Sequence, residues 1–408
     1  MDQRQAKAFH IAATTPLAPD NGRWKVPSQA GTGNYTVTVV SDGSWFCSCP
    51  DHEETLSPCK HIMAVEVTIQ RETGKTGKKF SEVVKVTYSQ NWSAYNAAQC
   101  NEKAMFLKLL SDLCAGIPQP ERHGGGRPKL PLSDMAFAVI YKAYIGASAR
   151  RFTTDLNNAQ TDGLIDQAPS FNSVLNYQRD TSLAPLLTSL VELSALPLQA
   201  VETDFAVDSS GFGTKNTRTW FSTKHGREIE AREWRKVHLM AGVRTHIVTG
   251  VQVTGSNAND APYLPDLAKT TAKSFTVDQV SADKGYSSRR NAAEIEALGA
   301  TPFIPFKSNV VEPTPGDAWA RMWHLFAYNH DTFLGHYHKR SNVETVFAMI
   351  KAKFGDSLLA RTTEGQDNEV LAKVVAHNLC VLIQSFYELG IETQFGRTPQ
   401  KPQLTVVK

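Results

Sequence analysis

Disulfides, membrane spans and a uniformly basic surface are what this sequence is short of. Its 408 residues hold six cysteines, too few to staple a scaffold of that length. Any that cluster are better read as metal ligands in a reducing compartment. No apolar run approaches the ~20 residues of a membrane span, and the opening MDQRQAKAFH lacks the charged-then-apolar order of a signal peptide. The expectation is a cytoplasmic protein with no membrane partner. A formal net charge of +3 is only weakly basic and is not by itself an argument for a nucleic-acid partner. One window departs from that balance: Arg71, Lys75, Lys78, Lys79 and Lys85 face only Glu72 and Glu82. Apolar content of 41% is ordinary for a globular chain, and the length allows two or more cores.

The first positive signal is a set of metal ligands. Residues 1–20 read as a short helix and an arm. Beyond Trp24, Tyr35, Val37 and Val39 alternate with Thr36 and Thr38, as in a half-buried strand. Asp42-Gly43 supplies a hairpin turn and residues 44–48 the return strand. Cys47-x-Cys49 follows, then nine intervening residues, then Cys59-x-His61 running into Ile62, Met63, Ala64 and Val65. Three thiols and an imidazole in two close pairs make a tetrahedral zinc set, one pair closing a hairpin and the other opening a helix. The one-residue gaps differ from the common two-residue gap. The plainer alternative, small buried hydrophobes, sits badly with half of the cysteines falling within thirteen positions. His52, between the pairs, reads as a loop histidine.

Residues 70–125 read as a basic connector and one helix around 104–113, with Cys100 and Cys114 as packing residues. His123-Gly-Gly-Gly-Arg-Pro-Lys129 reads as a linker, although its Gly-Arg-Pro core also suits a minor groove. Residues 131–200 read as helical. Ser133 is placed to cap a helix carrying Phe137, Ile140, Tyr141 and Tyr144 on one face, and Ser170 to cap one running through Val174, Leu175 and Tyr177. Arg150, Arg151 and Arg179 add basic points. A DNA-binding or dimerising subdomain and a plain bundle both fit.

From Ala200 the period becomes two. Val201, Thr203, Phe205 and Val207 share one strand face, with Glu202, Asp204 and Asp208 on the other. Strands are expected over 234–243 and 247–253, then a loop entering a helix at 258–267 and a strand at 277–282 that ends on Asp283-Lys284-Gly285-Tyr286. A helix over 287–298, stopped by Gly299, precedes a last strand at 303–306. Three antiparallel strands followed by strands alternating with helices indicate an α/β fold, a mixed sheet flanked by helices.

Residues 336–354, HYHKRSNVETVFAMIKAKF, read as one helix. Steps of three, four and seven residues put Tyr337, Arg340, Glu344 and Lys351 on one face, beside a buried stripe of Val343, Phe347, Ile350 and Phe354. A solvated salt-bridge ladder is one reading. It is a poor ladder, because Arg340 precedes Glu344 and the favoured order is acid first. The other reading is a metal-binding carboxylate beside groups that hold phosphate. Asp208 and Asp283, at strand ends, are its candidate partners. Three carboxylates can hold two Mg²⁺ ions, hard cations that prefer oxygen.

Ala206-Val-Asp-Ser-Ser-Gly-Phe212, Ala282-Asp-Lys-Gly-Tyr286 and Tyr337-x2-Arg340-x3-Glu344-x6-Lys351 together resemble the bacterial insertion-sequence transposases of the DDE class, in the branch with a Tyr-Arg-Glu-Lys signature and a ribonuclease-H-like core. The resemblance runs from about Gly126 to Leu389 and takes in Trp234-Arg-Lys-Val-His238, Asp260 and Ile304-Pro-Phe-Lys-Ser-Asn309. It implies that Asp208, Asp283 and Glu344 ligate two catalytic Mg²⁺ ions, and that Tyr337, Arg340 and Lys351 position DNA phosphates near the scissile bond. Ser210 stands where that family more often has Thr. Only residues 284–343 separate Asp283 from Glu344, so any inserted domain is small. Asp204 is expected to be a supporting or structural acid, and the ligand in place of Asp208 if the register differs. Separately, Cys47, Cys49, Cys59 and His61 resemble the SWIM zinc-finger pattern, which implies one structural Zn²⁺ and a DNA-binding or protein-interaction module.

The expected organisation is an N-terminal arm at 1–20, a zinc-binding ββα module at 21–75, a basic linker and helix at 76–128, a helical subdomain at 129–199, a catalytic domain at 200–395 and a tail at 396–408. The resemblance implies a transposase that binds terminal inverted repeats of double-stranded DNA, cleaves 3′ ends and joins them to target DNA. A homodimer associated with the nucleoid is the expected working form. An inactive DNA-binding regulator and a metal-dependent nuclease without strand transfer are the alternatives.

Overall fold

A computed structural model describes residues 4, 7–8, 11, 15, 17–20, 22–28, 33–40, 44–55, 57–73, 91–119, 130–214, 234–307, 309–395 and 405–406. Lys75, Lys78, Lys79 and Lys85, the turn Asp42-Gly43 and the linker at 123–129 lie outside the described residues. The chain divides into two compact units, Met1–Val84 and Lys85–Lys408.

The first unit is built on a four-stranded antiparallel sheet, two strands more than the hairpin visible in the sequence. Strands β1 (Pro19–Asp20), β2 (Arg23–Pro27), β3 (Asn34–Val39) and β4 (Trp45–Cys47) lie in that order. Helices Pro50–Thr55 and Lys60–Thr73 follow. Val26, Val37, Ile62 and Val65 form the core with the three cysteines, and Ala8, Ile11 and Leu17 join it. The stretch expected to be a free arm is thus part of this core, because its apolar residues cover the strands that the hairpin alone leaves open. Of the expected apolar face of β3, Val37 is buried and Val39 is 45% exposed. His52 is in a helix and buried, not in a loop, with Nδ1 2.8 Å from the carbonyl oxygen of Ser57.

The second unit holds a mixed sheet in the order β7-β6-β5-β8-β9. Strand β5 (Asp204–Thr214) pairs antiparallel with β6 (Trp234–Gly242), which pairs antiparallel with β7 (Val248–Gly255). On its other edge β5 pairs parallel with β8 (Gln279–Ala282), and β8 with β9 (Thr301–Phe303). A short strand, β10 (Ser357–Leu358), returns to pair parallel with Gly213 and Thr214 at the far end of β5. The strand expected at 303–306 is therefore neither so placed nor the last. The chain closes with β11 (Ile391–Glu392) against β12 (Thr405–Val406).

Helix Thr363–Leu389 runs through the centre of this unit, packed against helices Trp92–Ala115, Leu132–Ile145 and Leu183–Ala195 and against β7. By length and composition it could cross a membrane, which corrects the expectation that no apolar run is long enough. It is apolar because 78% of its most hydrophobic stretch is buried in the fold. Helix Leu132–Ile145 is buried almost all round, not on one face, and starts after Pro131 with no side-chain cap. Ser133 lies inside its first turn and meets Gln119 instead. Ser170 does cap helix Phe171–Gln178, accepting the N–H of Ser173 at 3.2 Å. Cys114 is buried, whereas Cys100 is exposed.

The stretch at 336–354 is broken. Helix His330–Tyr337 passes into a 3₁₀ turn, His338–Arg340, before helix Ser341–Phe354 begins. The 3₁₀ turn is wound more tightly than an α-helix, so it changes the direction of Tyr337 relative to Glu344. Val343, Phe347, Ile350 and Phe354 are buried beneath helix Ser341–Phe354, joined by Asn342 and Val346.

Candidate active site and metal centre

Two strands share one edge of β5 and leave a gap. The ladder with β8 ends at Val207 opposite Ala282, and the ladder with β10 begins at Gly213. Residues 208–212 have β6 on one side and neither strand on the other. This is also where an antiparallel neighbour gives way to a parallel one, beyond the carboxyl end of β8, a position at which open α/β sheets bind ligands. Asp208 and Asp283 each stand one residue past the last paired position on adjacent strands.

The two-residue period of β5 puts Asp204, Asp208 and Ser210 on one face, toward the segment after Tyr337. Each meets a cation there. Lys339 Nζ is 2.6 Å from Asp204 Oδ2, Arg340 Nη1 is 2.8 Å from Asp208 Oδ2, and Lys351 Nζ is 2.6 Å from Ser210 Oγ. The other amino group of Arg340 binds Glu344 Oε1. The pair judged poor for a helix therefore forms, because the guanidinium is held in place by Asp208. Burial works against the Arg340 charge, and Asp208, Tyr337 and Glu344 outweigh it.

Burial pushes the Asp208 carboxyl up to about 6; Arg340 and the Ser209 N–H oppose the rise, and Asp283 and Glu344 add to it. Arg340 joins two of the three acids, Asp208 and Glu344, and Asp283 stands beside Asp208 at the end of the adjacent strand. Asp283 caps the turn Lys284–Tyr286, its Oδ1 accepting the Gly285 N–H at 2.8 Å. A Cβ on Gly285 would lie 2.8 Å from that same oxygen, so this approach requires glycine. Tyr337 ends its helix stacked on Phe333 with ring centroids 6.1 Å apart, and burial holds its phenol above the usual range. Lys351 Nζ lies 5.3 Å from the centre of the Phe212 ring, and Lys373 Nζ 5.8 Å from it.

On the opposite face of β5, Ser209 donates to Asp260 Oδ1 at 2.6 Å. Lys236 Nζ reaches the same oxygen at 2.7 Å, and His238 Nδ1 lies 3.4 Å from it. Burial pulls His238 down to about 4, and its ring stacks on Tyr263. The Tyr286 hydroxyl is buried there with no hydrogen-bond partner among the described residues. The sequence had singled out Asp260 and His238 without linking them to Ser209. Lys339 was missed altogether; the one signal for it was Asp204 standing four residues before Asp208, matched by two adjacent cations.

Carboxylate oxygens suit a hard divalent cation, and the raised Asp208 carboxyl marks a place where added positive charge is favourable. Asp208, Asp283 and Glu344 would hold it. A cavity of about 370 Å³ lined by Thr188, Val251, Tyr263 and Leu267 lies elsewhere and includes none of the three acids.

The first unit carries the tighter ligand set. Cys47, Cys49, Cys59 and His61 are all buried, with ligand atoms within 4.8 Å of one another. Both Cys47 Sγ and Cys59 Sγ face His61 Nδ1, at 3.9 and 3.8 Å. Those separations are close to the edges of a tetrahedron with zinc–sulfur and zinc–nitrogen bonds of about 2.3 and 2.0 Å. Hydrogen bonding from Cys47 draws Cys59 down to about 3, while Cys47 itself and Cys49 are held up. Three thiols and an imidazole drawn this close are a donor set that a dication would hold together. The residues fit a structural Zn²⁺.

Residues 199–379 match the family model described as "Transposase DDE domain", a span that contains Asp208, Asp283, Tyr337, Arg340, Glu344 and Lys351. Residues 35–70 match the "SWIM zinc finger" model, a span that contains all four Cys and His ligands. A cryo-EM structure of the piggyBac transposase synaptic complex with hairpin DNA is similar over 75% of this chain and 76% of that chain, at 12% identity and a TM-score of 0.32. A likeness that distant transfers no feature to this chain.

Proposed function

We propose, on the premise that this chain is a DDE transposase carrying a SWIM zinc finger, that it mobilises an insertion sequence by cutting DNA at the element's terminal inverted repeats and joining the freed 3′-hydroxyls to target DNA. Asp208, Asp283 and Glu344 are the residues that would hold Mg²⁺. Two such ions, when bound, activate the attacking oxygen and stabilise the leaving oxygen of an in-line phosphodiester displacement. Arg340 and Lys351 grip phosphate oxygens beside the scissile bond, the planar guanidinium doing so through two parallel hydrogen bonds. Tyr337 packs against the same strand. The observation that supports this reading is Arg340 joining Asp208 and Glu344 at the gap in the edge of β5, with Asp283 at the end of the adjacent strand.

The helices of 129–199 are proposed to contact DNA or a second copy in a working homodimer in the cytoplasm, near the nucleoid. The zinc module is proposed to help recognise the DNA ends or a partner. The test uses duplexes carrying the repeats that flank the coding region, with Mg²⁺. The parent protein is expected to cleave them and transfer the strand. Glu344→Gln is expected to lose about a thousandfold in rate, the several kcal/mol that a metal's charge supplies, while matching the parent in duplex binding measured without metal. Cleavage by Glu344→Gln at the parental rate would overturn the proposal, and cleavage without joining would reduce it to a nuclease.

A further inference from the structure

Arg340 occupies oxygens that a metal ion would need. Its two amino groups bind Asp208 Oδ2, at 2.8 Å, and Glu344 Oε1. The other Asp208 oxygen accepts the Ser209 N–H at 2.8 Å. Both oxygens of one proposed ligand and one of another are committed to donors. The guanidinium is largely shielded from solvent, with 20% of its side chain exposed, as is Asp208 at 18%. This differs from a mobile surface pair. Like charges brought together repel, and the Arg340 cation between Asp208 and Glu344 offsets that repulsion. A divalent ion bridging Asp208 and Glu344 would meet that cation head on.

We propose that Arg340 is a built-in substitute for the metal, and that DNA opens the site by taking the guanidinium onto a backbone phosphate, so that DNA and metal load cooperatively. The inference rests on the reading of Asp208, Asp283 and Glu344 as metal ligands. Arg suits the exchange because its fork fits a carboxylate and a phosphate equally well, whereas a lysine would offer a point charge. Arg340 ends the 3₁₀ turn, one turn of helix before Glu344, so its side chain reaches either group without moving the buried stripe beneath. Coupling of this kind is reciprocal. If DNA tightens metal binding by some factor, the metal tightens DNA by the same factor. A free protein that binds metal weakly would also be restrained from cutting DNA it has not gripped.

The test measures Mn²⁺ binding to the full-length protein by electron paramagnetic resonance, with and without a terminal-repeat duplex; Glu344→Gln on the same duplex sets the background. In the parent, the duplex is expected to tighten Mn²⁺ binding at least about fivefold, the low end of usual coupling. Arg340→Gln without DNA should bind Mn²⁺ at least about fivefold more tightly than the parent, and the duplex should add less than about twofold. Arg340→Lys, which keeps the charge and the helix start, should fall between them. If Arg340→Gln is folded by its thermal transition and binds Mn²⁺ no better than the parent, or if Arg340→Lys binds no better, the substitute-cation proposal is wrong. If Glu344→Gln matches the parent in every condition, the metal-site reading itself is wrong.

Discussion

Asn378 serves Val248 as a neighbouring strand would. Its side chain accepts the Val248 N–H at 2.9 Å and donates to the Val248 carbonyl oxygen at 2.8 Å. Val248 opens β7, the edge strand, and its backbone would otherwise face an apolar helix with nothing to bond. The same amide also lies 3.0 Å from Ser194 Oγ and 3.3 Å from the carbonyl oxygen of Val191. One buried side chain thus joins the central helix, the helix Leu183–Ala195 and the sheet.

Replacing it strands several buried polar groups at once. Asn378→Leu fills the space and leaves the Val248 N–H and carbonyl unpaired. A loss of about 4 kcal/mol in unfolding free energy is expected, at one to three per orphaned group. Urea denaturation of the full chain, read by circular dichroism, checks this; a loss below about 1 kcal/mol would mean that water replaces the amide.

Gly242 is glycine because of Glu202. A Cβ at 242 would lie 2.5 Å from the Glu202 carboxyl carbon. Glu202 is buried and fixed by the N–H groups of Arg244 and Thr245, so it has no room to yield. Gly242→Ala is expected to cost about 3 kcal/mol, the upper part of the usual overpacking range. The cost should shrink in a Glu202→Asp background, where the carboxyl is withdrawn by one methylene. A double-mutant cycle measures the coupling.

Acid should weaken the second unit through its buried histidines. Burial pulls His377 down to about 4, and its Nε2 lies 2.9 Å from the carbonyl oxygen of His246. The folded value lies below the unfolded value of about 6.5, so between the two the unfolded chain binds more protons, and stability falls as the pH drops through that window. His377 accounts for about 3 kcal/mol of that loss and His238 for a similar share. Asp208 runs the other way: its carboxyl is raised to about 6, so protonating it below that pH relieves a burial cost. His377→Gln keeps a donor and does not titrate. Its unfolding free energy between pH 7 and pH 4.5 should fall less steeply than the parent's, since one of the histidines that the fold holds down, beside His238, His246 and His336, no longer titrates.

The zinc set should decide whether the first unit folds. Cys59→Ser removes the thiolate that the other ligands stabilise. Bound zinc, measured by atomic absorption, should fall from one ion per chain to none, and a chelator should have the same effect on the parent. Limited proteolysis should then cut within Met1–Val84 and spare Lys85–Lys408. Terminal-repeat binding that keeps its strength and salt dependence in Cys59→Ser would exclude the module from recognising ends.

Much of the second unit was legible because its signals are local. Strand period placed Asp208 on the outer face of β5, and the end of an apolar run placed Asp283. The stripe from Val343 to Phe354 was visible for the same reason. Contacts that join distant positions were not visible. The acid-first rule judges Arg340 and Glu344 as an isolated pair and takes no account of Asp208, which fixes the guanidinium from 132 positions away. Lys and Arg are good helix formers, so nothing at 338–340 announced a 3₁₀ turn. Two paired residues are too few to show a period, and β10 escaped for that reason. Ala8, Ile11 and Leu17 looked like an arm because the strands that they cover are supplied later in the chain.

The return of Ser357 and Leu358 to the end of β5 fixes a length. Helix Ser341–Phe354 ends at Gly355, which has φ 82° and ψ 148°, and Asp356 gives its carbonyl to the Gly213 N–H at 3.1 Å. Two residues therefore span the distance from helix to strand, with no slack. An amino acid inserted at that junction would shift every alternate side chain of β10 to the wrong face, while a deletion would pull Lys351 off Ser210. Among relatives of this chain, the spacing from Glu344 to Leu358 should therefore resist insertion and deletion.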